Sequence, residues 1–283
     1  MSSQVDLVVQ TRITGAKQRK RNKLWNEQWR RRGNDVIVGA MIPLMILLLW
    51  QLAGAFGWIS VFFLPTPSMI AAHTQELLLS GDLFSHLSIS VQRALLGFVI
   101  GGGIGFLCGL LVGFSRTAEH VLDPTFQMLR MIPHLALAPL IILWFGFGET
   151  SKIFIIANGA FFPMYINTFM GLRSVDNRLF DVAKVLEFNR FKLITGLIVP
   201  AASPQIMLGL RTSLAVSWLG LVVAELIGSQ AGIGFIINLG KQTSVTELIF
   251  IGVIIFAIVG KLFDSFVRLL EKKWLNWRDS YLG

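Results

Sequence analysis

Runs of predominantly apolar residues, each about as long as a bilayer is thick, limit what this chain can fold into. A helix needs roughly 20 such residues to cross a hydrocarbon core of about 30 Å. With no water there to satisfy backbone groups, a spanning segment of this kind must be helical. Six runs qualify: 36–56, 88–114, 124–147, 152–171, 204–227 and 248–270. Composition agrees, with 54% hydrophobic and 14% charged residues, against about a quarter charged in a soluble domain. The expectation is an all-α integral membrane protein with six transmembrane helices.

The segments between the runs add detail. Trp50 and Trp58 stand near the far end of the first run as interfacial anchors. The helix-breaking Leu64-Pro65-Thr66-Pro67-Ser68 follows, with Ser68 the expected cap of a short amphipathic helix reaching Leu79 along the outer surface. In the second run Gly101, Gly105, Gly109 and Gly113 recur every four residues, which makes a small-residue face for close helix packing. No strand precedes these glycines, so a dinucleotide-binding reading fails. Residues 115–123 read as a polar turn and 124–147 as one continuous span. The Gly-rich 228–246 reads as a short re-entrant helix.

Charge orients the chain. Nine of the 25 Lys and Arg residues precede Asn34, forming a basic tail over residues 1–34. The spanning domain then covers 35–271, and a second basic tail, with Lys272, Lys273 and Arg278, covers 272–283. Six spans put both tails and the loop between spans four and five on one side, whereas the opposite loops hold little beyond Lys152 and Lys241. The positive-inside rule makes the charged side cytoplasmic. A polybasic flank of a span is explained by anionic lipid rather than nucleic acid. Cys108 is the one cysteine and the four histidines lack paired metal-ligand spacing, so no metal site is expected.

The stretch 173–200 is the exception in this apolar chain. It carries Arg173, Asp176, Arg178, Asp181, Lys184, Glu187, Arg190 and Lys192. Leu179, Val182, Ala183 and Leu186 repeat at helical spacing, with Asp181 and Lys184 on another face and Asp176 or Asn177 as the N-cap. An amphipathic helix between two spans must lie at a membrane surface or against a partner. We read it as a docking element.

The pattern Asp181-Val182-Ala183 followed by Pro200 resembles the EAA loop of bacterial ABC importer permeases: an acidic residue, a small pair, a glycine four residues on, and a closing proline. The chain departs from it at Glu187, where the family has glycine. A left-handed turn there costs a glutamate about 1 kcal/mol, and Asn189 is an alternative place for it. LPTPS at 64–68, QMLRMIPHLALAPLIILWFG at 127–146, FFPMYINTFMGLR at 161–173 and VVAELIGSQAGIGF at 222–235 are similar to the nitrate/sulfonate/taurine/bicarbonate branch of that family. Residues 128–154 look closest to aliphatic sulfonate permeases.

The resemblance implies a type I importer fold with a cytoplasmic coupling helix between spans four and five. It implies two permease copies in a bacterial inner membrane, a cytoplasmic ATPase dimer that uses ATP and Mg, and a periplasmic binding protein. The sequence has no GxxxxGK[ST] loop, so the chain is expected to be a permease and not an enzyme. Asp181, Val182, Ala183, Lys184, Leu186, Glu187 and Pro200 are the candidate ATPase-docking residues.

Arg130, His134, Arg211 and Glu225 are ionisable groups in or near spans, where a charge costs about 2.5–3.5 kcal/mol. Arg130, His134 and Glu225 are the candidates for the translocation path, while Lys261, Asp264 and Arg268 are spaced to pair on one helical face. The expected cargo is a small organic anion, an aliphatic sulfonate first, with taurine, nitrate or bicarbonate as alternatives. A secondary transporter or channel would need intramembrane acidic pairs or inverted repeats, and neither is evident.

Overall fold

The computed structural model describes residues 38–275. The basic tail at 1–34 and most of the tail at 272–283 lie outside the described residues. The chain forms two compact units, one up to Met69 and one from Ile70. Among the described residues the regular structure is helical throughout.

In the first unit, α1 (Val38–Ala55) is long and apolar enough to span. Gln51 Nε2 donates to Ser68 Oγ at 3.0 Å and Ser68 N donates to Gln51 Oε1 at 3.1 Å. These bonds hold the LPTPS passage back against α1. Helix α2 runs Pro67–Leu79, so Ser68 lies inside it and is not its cap. Pro67 takes the first helical position, where its missing N–H costs nothing. Thr66 precedes it, with Met69 N donating to Thr66 Oγ1 at 3.4 Å.

In the second unit, α3 (Asp82–Phe114) and α6 (Glu149–Arg173) pack together, and α9 (Val199–Leu226) packs on α6 and also touches α3. The glycine stripe sets the approach of α3 to α6. A methyl group on Gly101 would sit 1.9 Å from the Ala157 carbonyl oxygen, and one on Gly105 would sit 2.4 Å from that of Phe161. Gly109 and Gly113 meet Thr168 and Leu172 in the same way, so the expected small-residue face is this interface. Ser213 Oγ donates to the Ala160 carbonyl at 2.6 Å, fastening α9 to α6.

The third span is not one continuous helix. Ser115 caps α4 (Arg116–Arg130), its Oγ accepting from Ala118 N at 3.2 Å, so 115–123 is the cap and first half of an amphipathic helix, not a turn. Pro133 then breaks the chain, because proline restricts the residue before it and cannot join an interior helical ladder. A 3-10 turn (His134–Leu137) and α5 (Ala138–Phe145) follow, and the two helical pieces are bent by 80°. Tyr165 Oη donates to Asp123 Oδ1 at 2.6 Å, tying α4 to α6.

Beyond α6 come α7 (Asn177–Val185) and the single-turn α8 (Arg190–Leu193), which leads through a π-turn (Ile194–Ile198) into α9. The short helix expected in the Gly-rich segment is α10 (Ile233–Thr243), and α11 (Thr246–Trp274) closes the described chain. Among the described residues, five helices are long and apolar enough to cross a membrane, and six spans result if the bent pair counts as one.

Candidate docking site

Helix α7 begins at Asp176, whose side chain accepts from Arg178 N at 2.9 Å, as the sequence leads one to expect. It is held to the body by one face. Ala183 is buried, and Phe180 packs on the cluster of Leu172, Ile198 and Ala202 where α6 and α9 meet. The other faces are free: Leu179, Val182, Val185 and Leu186 are exposed, and Asp181 and Lys184 form a solvent-facing pair at 3.3 Å. Such an exposed pair contributes little stability.

The end of α7 carries the departure noted in the sequence. Glu187 itself adopts the left-handed conformation, with φ of 50°. Glu187 N donates to the Lys184 carbonyl at 3.1 Å and Phe188 N to that of Ala183 at 3.0 Å. These are the paired bonds of a Schellman motif, which satisfies two of the last helical carbonyls. Asn189 does not take the turn: it caps α8, accepting from Lys192 N at 2.8 Å.

Pro200 shapes the other wall. A proline ring clashes with the carbonyl four residues before it, and the π-turn widens the helix just there, with Val199 N bonded to the Ile194 carbonyl. Four residues on, Pro204 leaves the Pro200 carbonyl without its helical donor, and Ser203 Oγ bonds it at 2.8 Å. Between these walls lies an apolar groove lined by Leu179, Val182, Leu186 and Phe188 on one side and Leu197 and Pro200 on the other. The expected docking residues from Asp181 to Lys184 lie on α7, Leu186 and Glu187 form the turn that ends it, and Pro200 stands across the groove.

The three candidate path residues do not share a site. Arg130 is exposed at the end of α4. His134 lies against Gly159 of α6, with its buried Nε2 unpartnered among the described residues. Glu225 is fully buried and takes bonds from Ser90 Oγ, Arg93 Nη1 and Gly234 N, each at 2.8 Å. Arg93 also grips Glu149 with two bonds of 2.6 Å and donates to the Ala231 carbonyl at 2.6 Å. Lys152 bonds Glu149 at 2.8 Å. Glu225 therefore joins α9 to α3 and to the first turn of α10, and Arg93 extends the anchor to α6 and the loop before α10. Gly232 completes it: at φ of 113°, any side chain there would meet the Glu225 carboxylate at 2.2 Å. Sequence reasoning missed Arg93, although it is the one charged residue in the run 88–114, and an isolated charge in a span asks for a partner.

Bundled spanning helices with an amphipathic helix set between two of them define a membrane transport permease. Residues 101–276 match the family described as "Binding-protein-dependent transport system inner membrane component", and the chain belongs to that family. Membership implies a binding protein and an ABC ATPase as partners. A candidate aliphatic sulfonates transport permease protein, SsuC, from Bacillus subtilis (strain 168) is 57% identical over 87% of this chain and 89% of its own length. Its counterpart from Escherichia coli (strain K12) is 43% identical over 85% and 91%. The taurine transport system permease protein TauC of the same strain is 31% identical over 82% and 86%. Among solved structures, a crystal structure of an amino acid ABC transporter with histidines aligns at a TM-score of 0.60 and 18% identity. It covers 71% of this chain and 97% of that one, a likeness of fold.

Proposed function

We propose that this chain is the permease of an ATP-driven importer that carries aliphatic sulfonates into the cytoplasm, working as a homodimer in a bacterial inner membrane. Its tails and α7 face the cytoplasm, by the positive-inside count. Two copies form the pathway, a periplasmic binding protein delivers the ligand, and ATP and Mg are used by an ATPase dimer; the chain has no phosphate loop of its own.

The observation that carries the reading is α7. It is anchored by Phe180 and Ala183, leaves its remaining apolar residues uncovered beside a groove, and stands between two spans. An exposed apolar face on such a helix suits a protein partner better than water. Asp181, Val182, Lys184, Leu186, Glu187 and Pro200 would meet the ATPase, whereas Ala183, expected among them, is buried against the body and would only hold α7 in place. The cargo follows from the sulfonate relatives. An anion would also be drawn to Arg130 and His134, which we assign to the path, whereas Glu225 would act on it only by holding the helices in place.

The test reconstitutes permease, ATPase and binding protein in liposomes and follows ATP hydrolysis with an alkanesulfonate, taurine, nitrate or bicarbonate. Stimulation by the alkanesulfonate, abolished by Val182→Arg at an exposed position of the groove in a permease that still folds, is the expected result. Full activity of that variant would refute the docking assignment, and stimulation by another anion alone would refute the cargo. Ligand flux without the ATPase would make the chain a secondary transporter.

A further inference from the structure

Away from α7, the faces of α9 and α11 enclose a second cleft, and its chemistry is unlike that of the docking groove. Leu214, Trp218, Leu219, Phe263 and Val267 line it. Trp218 Nε1 bonds the Phe256 carbonyl at 2.9 Å, and the ring lies over Gly260, where a methyl group would come within 3.1 Å of it. The indole is thus fixed as the apolar floor, with its one polar atom satisfied inside.

The rim of the cleft is cationic. Asp264 accepts from Arg211 Nε at 2.6 Å and from Arg268 Nε at 3.0 Å, and Lys261 Nζ lies 3.9 Å away. Three cations share this carboxylate, a formal excess of two positive charges (three minus one). Glu271, one turn further along α11, makes no ion pair with Arg268 among the described residues. The side chains of Lys261 and Arg268 are 69% and 57% exposed. The bonds to Asp264 use Nε of each guanidinium, so neither Nη pair is engaged by that carboxylate. A net charge of this sign on a spanning helix is costly in hydrocarbon, and an anion at the rim offsets that cost.

We propose that this cleft binds one anionic phospholipid, with an acyl chain in the groove against Trp218 and the phosphate held by Arg211, Lys261 and Arg268. Basic pockets between spans are where anionic headgroups bind. An arginine fork suits phosphate oxygens, and the lysine stem lets its charge reach the headgroup level from a deeper position. A small hydrophilic anion matches the rim but leaves the apolar floor uncovered. An isologous contact through this face would bring two net-positive clusters together, so a second copy is the poorer occupant.

The experiment is native mass spectrometry of the full permease, titrated with phosphatidylglycerol and with phosphatidylcholine of the same acyl chains. One phosphatidylglycerol retained per chain, at least tenfold more tightly than phosphatidylcholine, is expected. The paired change Lys261→Gln with Arg268→Gln should remove most of that preference, and both sites are exposed enough to leave folding intact. Ala215→Phe, which adds bulk at an exposed position lining the groove, should weaken binding of both lipids without altering their ratio. Equal retention of the two lipids would overturn the proposal. So would a preference that survives the paired change, or displacement of the lipid by millimolar alkanesulfonate, which would mark a small-anion site. A change in the proportion of dimer on loss of the charges would mark an interface between copies instead and would overturn it too.

Discussion

Replacing Glu187 tests whether the end of α7 is strained in the way its backbone implies. The residue sits at φ of 50°, a conformation that costs a residue with a Cβ about 1–2 kcal/mol relative to glycine. Its carboxylate also faces the negative end of the helix dipole, which adds roughly 0.3–1 kcal/mol where charge is not screened. Glu187→Ala removes the charge and keeps the strain, whereas Glu187→Gly removes both. The difference between the two variants isolates the backbone. Glycine is freer in the opened state by about 0.4–1 kcal/mol, so roughly 1 kcal/mol net should remain, or about fivefold in the local opening equilibrium. The amides to follow are those of Leu186, residue 187 and Phe188, bonded to the carbonyls of Val182, Lys184 and Ala183. In hydrogen exchange of the intact permease, these amides should exchange about fivefold more slowly in Glu187→Gly than in Glu187→Ala. Equal protection in the two variants would mean that the left-handed turn stores no strain, and the argument from φ would fail.

Two further substitutions probe the body of the protein. Gly101→Ala puts a methyl group 1.9 Å from the Ala157 carbonyl, so α3 must move off α6; we expect a loss of about 3 kcal/mol or more, read as a fall in melting temperature in detergent. Gly103→Ala, interior to α3 with nothing within 4 Å, should leave that temperature unlowered or raise it slightly, since alanine is the better helix former by about 0.5–1 kcal/mol. Glu225→Gln keeps the shape of the buried anchor but not its charge. It should cost roughly 2–3 kcal/mol, less than a fully orphaned pair because Arg93 retains Glu149; thermal unfolding beside the exposed Glu76→Gln checks it.

What was legible in the sequence is what depends on run length and spacing. The spans follow from apolar length, the α3–α6 contact from glycines four residues apart, and α7 from an amphipathic stretch with Asp176 ahead of it. The third span was misread because hydropathy does not register direction. Residues 124–147 stay apolar across Pro133, and the 80° bend leaves no trace in an average. The left-handed turn was assigned to either of two residues, and the Schellman bonds place it at Glu187 because Asn189 is engaged as the next cap. The Arg93–Glu225 anchor joins residues 132 positions apart. No local period encodes such a pair, so the lone charge of Arg93 in an apolar run was the available signal.

The two ends of α9 explain why the protein combines a buried ionic anchor with a lightly held surface helix. From Pro200 to Glu225 the helix rises about 37 Å, the scale of a bilayer. At the Glu225 end every carboxylate partner is internal, and breaking such a pair is costly. At the Pro200 end the contacts to α7 are few and apolar: Phe180 on the Ile198 and Ala202 cluster, and the walls of the groove. Apolar contacts carry no directional bonds, so α7 can shift against α9 without leaving a polar group unsatisfied. The anchor has no comparable freedom, because any slip of α9 against α3 separates Arg93 from Glu225. A displacement at the groove that moves α9 must therefore carry the loop at 228–232 and the attached end of α3 with it. That linkage is what a docking element needs if its motion is to be felt at the opposite end of the molecule.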